Sequence, residues 1–144
     1  MSDTQILFRN TTIVLFLPTQ SNTEKVSDSI IVIPTYNEKE NIERMIRTIL
    51  HLPKQFHILI VDDNSPDGTA GIVKKIQKRH PDQLFMVERK GKLGLGTAYL
   101  TGFRWALEND YRFIFEMDAD FSHNPEKIPI FLQHIKEGRS LIFK

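Results

Sequence analysis

From Ser29 onward the chain alternates between short apolar runs and stretches with helical spacing. Ile30-Ile31-Val32-Ile33, Ile58-Leu59-Ile60-Val61, Leu84-Phe85-Met86-Val87 and Phe113-Ile114-Phe115 are continuous runs rich in β-branched and aromatic side chains. They lack the polar alternation of a half-exposed strand, so each predicts a strand buried on both faces. Between them, Ile42, Met45, Ile46, Ile49 and Leu50 recur at i, i+3, i+4, i+7 and i+8, one face of a helix. Ile72, Val73 and Ile76 mark a second helix, Tyr99, Phe103, Ala106 and Leu107 a third, and Ile128, Phe131, Leu132 and Ile135 a fourth. Four strand-then-helix units in succession predict an α/β fold: a doubly wound, mostly parallel, Rossmann-like sheet with right-handed crossovers. The strand order expected for such a unit is 3-2-1-4.

Turn and cap residues fall where this reading needs them. Asn37 with Glu40 three residues later suits a helix N-cap and capping box. Asp62-Asp63-Asn64-Ser65-Pro66-Asp67-Gly68 is a dense turn signal, His80-Pro81-Asp82 stops the second helix, and Pro129 suits the first turn of the fourth. Residues 1–27 hold one apolar run, Ile13 to Leu17, without a clear period. They are expected to be a poorly structured N-terminal extension or to add an edge strand, with residues 28–144 forming the α/β domain.

Composition narrows the class. The 144 residues are 40% apolar and 26% charged, ordinary for one soluble domain with a real core. A net charge of +1, from 19 Lys and Arg against 18 Asp and Glu, offers no general field for nucleic acid. The absence of Cys excludes disulfides and thiolate metal sites. No stretch approaches the roughly 18 apolar residues of a membrane span, and Met-Ser-Asp-Thr lacks the basic start of a signal peptide. The expectation is a cytoplasmic chain, with peripheral contact at a membrane's cytoplasmic face left open.

Candidate chemistry collects at the strand ends. Open α/β sheets bind ligands beyond the carboxyl ends of their strands, and in the order 3-2-1-4 the ends of strands 2, 1 and 4 are neighbours. The fourth strand runs into Asp118 and Asp120, whose i, i+2 spacing on an extended backbone sends both carboxylates to one side. Such a pair can hold Mg²⁺ or Mn²⁺, with phosphate oxygens and water completing the shell. Strand 1 contributes Pro34, Tyr36 and Glu38, and strand 2 contributes Asp63. A nucleotide fits there with its base near Tyr36 and Asp63, its ribose on the carboxylates and its diphosphate on the metal.

Taken singly, most of these residues have a structural reading. Asp62, Asp63 and Asp67 are common turn and cap residues, and Glu38 is a first-turn acid favoured by the helix dipole. Gly94-x-Gly96 lacks the third glycine of a dinucleotide fingerprint; Arg89, Lys90 and Lys92 read as a solvated cluster, Trp105 as packing and His123 as a turn residue. A shared ligand accounts more simply for acidic loops on three neighbouring strands.

Four segments carry a resemblance to a known family: Val32-Ile33-Pro34-Thr35-Tyr36-Asn37-Glu38-Lys39-Glu40-Asn41, Val61-Asp62-Asp63-Asn64-Ser65-Pro66-Asp67-Gly68-Thr69, Gly91-Lys92-Leu93-Gly94-Leu95-Gly96 with Gly102-Phe103, and Met117-Asp118-Ala119-Asp120-Phe121-Ser122-His123-Asn124-Pro125. In this order they resemble the family 2 glycosyltransferases of glycosyltransferase-A fold, in particular the dolichyl- and polyprenyl-phosphate mannosyltransferases. The resemblance implies a GDP-mannose donor bound by Pro34, Tyr36, Glu38, Val61, Asp63, Asp118, Ala119 and Asp120. It implies Mg²⁺ or Mn²⁺ at Asp118 and Asp120, with Ser122 where some relatives carry a metal-binding Gln. It implies inverting transfer of mannose to a polyprenyl or dolichyl phosphate, with the general base unassigned. Such relatives continue past the last helix into an acceptor-binding half, of which Gly138 to Lys144 keep only an apolar strand-like run. A sheet ending at the fourth strand is therefore expected to leave an uncovered edge. The alternatives are a noncatalytic nucleotide-sugar-binding fragment and a relative using UDP-glucose or another donor. A phosphatase with Asp118 as nucleophile ranks below them, because such enzymes carry the motif on their first strand.

Overall fold

In the computed structural model the described residues are 5–7, 14–16 and 27–137. The chain runs through β1 (Gln5–Leu7), β2 (Val14–Phe16), β3 (Ser29–Thr35), α1 (Ile42–Leu50), β4 (His57–Asp62), α2 (Thr69–Gln77), β5 (Leu84–Glu88), α3 (Leu95–Glu108) and β6 (Phe113–Glu116). A short 3-10 turn, Pro125–Lys127, then leads into α4 (Ile128–Lys136). The strands form one sheet in the order β1-β2-β6-β3-β4-β5. β3 pairs in parallel with β4 and β6, and β4 pairs in parallel with β5. Counting the parallel strands alone gives the predicted 3-2-1-4.

The sheet is covered on both faces because the apolar runs point alternately to each side. Ile31, Ile33, Ile58, Ile60, Phe113 and Phe115 pack with α1, α2 and α4. Ile30, Val32, Leu59, Val61 and Ile114 face α3 through Ala98, Tyr99 and Ala106. Every residue of β3 and β4 is buried, whereas β5, at the sheet edge, is only partly so.

Three local expectations change. The expected bare edge beyond the fourth parallel strand is occupied: β2 pairs antiparallel with β6, matching Val14 to Phe115 and Phe16 to Phe113, and β1 pairs with β2. Beyond these two strands, the expectation for residues 1–26 lies outside the described residues, as does the strand-like run at residues 138–144. Helix α1 starts at Ile42 rather than after Asn37, because Asn37 adopts a left-handed conformation with φ 57°. The loop's N–H groups are taken instead by the loop after β4: Asn37 donates to Ser65 Oγ, Glu38 to Thr69 Oγ1 and Lys39 to Asp67 Oδ2. On α3 the buried stripe is Ala98, Tyr99, Gly102 and Ala106, and Leu107 turns to solvent.

Gly102 lets α3 lie against β3. A Cβ at this position would come within 2.3 Å of Val32 Cγ1, and Val32 is itself fully buried. Helix propensity alone favours alanine over glycine by about 1 kcal/mol, but overpacking a filled core costs about 1–3 kcal/mol. Gly102→Ala is expected to lower the stability measured by urea unfolding. Gly71→Ala in α2, where a Cβ meets nothing within 4 Å, is expected to raise it by about 0.5–1 kcal/mol.

Candidate functional site

The order β6-β3-β4 sets three strand ends side by side and brings the predicted residues to one rim. Pro34 and Val61 are buried in the strands, opposite one another in the β3–β4 register. Tyr36 is exposed, Glu38 half-exposed, and Asp63 buried.

The strand β6 ends at Glu116, with the Met117 N–H still donating to the Val32 carbonyl, and Asp120 falls in the turn that follows Asp118. Local hydrogen bonds hold both carboxylates. Tyr99 donates its hydroxyl to Asp118 Oδ1 at 2.6 Å, and the Ser122 N–H donates to Asp120 Oδ1 at 2.9 Å. Hydrogen bonds from Ser122 hold the Asp120 carboxyl below the usual carboxylate range. The turn is closed by Phe121 at φ 61°, a conformation uncommon for a bulky side chain, with the Arg44 guanidinium 4.0 Å from its ring centroid. Ala119 is buried and Ser122 exposed, with Ser122 Oγ 3.2 Å from His123 Nδ1.

Asp63 is not a simple turn residue, nor is Arg89 part of a solvated cluster. Arg89 Nε and a terminal nitrogen meet the two Asp63 oxygens at 2.5 and 2.7 Å, with both side chains under 10% exposed. The same guanidinium donates to Thr97 Oγ1 and to the Gly94 carbonyl, which fastens the glycine-rich loop to the end of β4. From that loop Lys92 places its ammonium 4.6 Å from the Tyr36 ring centroid. Asp62 takes the turn role that its neighbour does not, accepting from Thr35 Oγ1 and from Ser65 N and Oγ. The pairing of Arg89 with a residue 26 positions earlier leaves no local signal in the sequence.

Sequence reasoning also missed Glu116, the last residue of β6. It is 5% exposed, and its buried Oε2 has no hydrogen-bond partner among the described residues. Burial pushes its carboxyl up to about 7, and the Asp118 charge adds to the rise. The available signal was an acid closing an otherwise apolar run.

For a hard divalent cation the donor set fits in kind. Asp118 and Asp120 each have one oxygen engaged in the hydrogen bonds above, and each retains a second oxygen able to ligate. Among the described residues no group of three or more His, Asp or Glu side chains converges as a metal cluster.

Two other surfaces stand apart from the carboxylates. An open groove of about 930 Å³ along α1, lined by Arg44, Arg47, His51 and Glu126 among others, contains none of the predicted donor residues. Exposed Leu93, Leu95, Leu100 and Leu107 run from the glycine-rich loop along the outside of α3, beside exposed Lys90, Lys92 and Arg104. No helix among the described residues is long and apolar enough to cross a membrane.

Removing one partner of a buried ion pair typically costs about 3–5 kcal/mol, whereas replacing both with apolar side chains is often neutral. Arg89→Ala is thus expected to cause a loss of that order in urea unfolding. The double variant Asp63→Leu/Arg89→Met should recover most of it; a double variant as unstable as Arg89→Ala would contradict the burial argument.

The sequence pattern of Glycosyl transferase family 2 matches residues 30–143. The chain is 42% identical over 113 residues to a polyprenol monophosphomannose synthase from Mycolicibacterium smegmatis, covering 78% of this chain and 43% of that one. It is 39% identical over 113 residues to an undecaprenyl-phosphate mannosyltransferase from Micrococcus luteus, covering 78% and 46%. The chain thus spans less than half the length of these relatives. Among solved structures it resembles the mannosyltransferase PcManGT from Pyrobaculum calidifontis, in complex with GDP-Man and Mn²⁺, with a TM-score of 0.58 and 29% identity over 65% of this chain and 27% of that one. It also resembles S. aureus TarS 1–349 in complex with UDP, with a TM-score of 0.60 and 25% identity over 76% and 32%. With its α/β sheet in the order 3-2-1-4 and a family match spanning residues 30–143, the chain belongs to glycosyl transferase family 2.

Proposed function

We propose that this chain is the donor-binding part of a metal-dependent, inverting mannosyltransferase that takes GDP-mannose and delivers mannose to a polyprenyl or dolichyl phosphate. The observation that carries the reading is the meeting of four loops at one rim: Tyr36 after β3, Asp63 after β4, Arg89 and Lys92 after β5 reaching to Asp63 and Tyr36, and Asp118 with Asp120 after β6. Mannosyltransferases among the relatives, and the GDP-Man and Mn²⁺ bound in one of them, support the choice of sugar and ion.

In this reading the base lies by Tyr36, whose exposed ring offers a stacking face, and by Asp63. Pro34, Glu38, Val61 and Ala119 shape the donor pocket. Asp118 and Asp120 hold Mg²⁺ or Mn²⁺, and Ser122 stands near enough in sequence to assist. When bound, the ion supplies charge neutralisation for the departing diphosphate. The chain's own part is to orient the donor and hold the Asp118 and Asp120 carboxyl groups in place at that oxygen-rich corner. Hydrogen bonds from Ser122 favour the charged form of Asp120.

Thermal unfolding with GDP, UDP, GDP-mannose and UDP-glucose, each with and without Mn²⁺, tests donor and metal together. A ligand at one hundred times its dissociation constant stabilises by about 2.7 kcal/mol. The expected result is stabilisation by guanine nucleotides only with Mn²⁺, lost in Asp118→Ala and Asp120→Ala. A larger effect of UDP would transfer the reading to a uridine donor, in line with the UDP-bound relative. Insensitivity to both substitutions would remove the metal assignment.

The lipid side of the reading rests on the exposed leucines beside Lys90, Lys92 and Arg104. Apolar side chains that enter the interface and cations that meet anionic headgroups are the usual means of peripheral binding. The chain is expected to sediment with phosphatidylcholine vesicles containing phosphatidylglycerol, and not with pure phosphatidylcholine or at high salt. Leu93→Asp/Leu95→Asp should abolish this sedimentation; an unchanged result would assign the surface to another role.

A further inference from the structure

We infer that Tyr99 is a positioning residue for the metal-binding carboxylate Asp118, fixing one of its two oxygens through the phenol hydroxyl. The inference deepens the proposed function and rests on its assignment of the ion to Asp118 and Asp120.

Tyr99 lies on the buried stripe of α3, one turn from Gly102, where the helix touches β3. Its ring stacks on Phe103, with centroids 6.3 Å apart and planes 21° from parallel. The phenol is therefore set by packing, and its hydroxyl reaches Asp118 Oδ1 at 2.6 Å across 19 positions of sequence. With that oxygen held, the second oxygen of Asp118 is left to face the ion. A ligand whose neighbour fixes its orientation binds a metal more tightly than one free to rotate.

The test compares Tyr99→Phe with the wild type in the full chain. Mn²⁺ affinity in the presence of GDP is read from the free-ion signal in electron paramagnetic resonance, and stability from urea unfolding. Substitutions behind a metal ligand usually cost 10–100-fold in affinity. Tyr99→Phe should weaken Mn²⁺ binding by about tenfold while unfolding stays cooperative. Wild-type Mn²⁺ affinity in Tyr99→Phe would overturn the inference. Asp118→Ala and Asp120→Ala serve as references. If they also bind Mn²⁺ as the wild type does, the metal assignment itself is wrong and the inference falls with it. If they lose the ion while Tyr99→Phe keeps it, only the positioning role is wrong.

Discussion

The fold and its site depend on the pairing of β3 with two parallel neighbours at once. Ile30, Ile31, Val32 and Ile33 are fully buried, and their backbone groups find partners in β4 on one side and β6 on the other. A buried strand can leave almost no backbone group unpaired, so its register with both neighbours is closely fixed. Ile30 lies opposite His57 in β4 and Ile114 in β6, and the Met117 N–H continues the pairing by donating to the Val32 carbonyl. That double register decides where Asp63 and Asp118 emerge relative to Tyr36. The loops can vary in detail, but their starting points cannot shift without unpairing the centre of the sheet.

A second constraint acts from above the sheet. Gly102 allows α3 to approach Val32 closely, and this approach lets Tyr99, three residues earlier on the same face, reach past the end of β6. The same close packing encloses Glu116 and deprives it of water. Helix packing and site geometry are thus one arrangement. Glu116, whose Oε2 has no partner among the described residues, is one of several buried polar residues of the core, and unpaired buried groups concentrate where function sets the residue.

Much of this was legible in the sequence, because it follows from continuous apolar runs and helical spacing. The four parallel strands, their order and the faces of α1 and α4 need only those two signals. The misses share a different cause: each depends on a partner distant along the chain. Asn37 looked like a helix cap, but its N–H is taken by Ser65 and the helix begins at Ile42. Arg89 looked solvated because nothing near it in sequence is its counter-ion, whereas Asp63 lies on the neighbouring strand. Asp118 and Asp120 were expected on extended backbone; β6 ends at Glu116, and Asp120 lies in the turn that Phe121 closes. Strand β2 has only three residues, too few for a periodic signal, although it closes the β6 edge.

These long-range bonds join the rim into one body before any ligand arrives. The loop after β3 hangs its N–H groups on the loop after β4, and Arg89 ties the glycine-rich loop to the same place. Ordering side chains and loops on binding costs affinity, so a rim assembled in advance leaves less to be ordered. The two carboxylates differ in this respect. Asp118 is half-buried and held by a packed phenol on another element, whereas Asp120 is exposed and, among the described residues, held within its own turn. Order at Asp118 therefore follows the packing of α3, and order at Asp120 follows the turn itself.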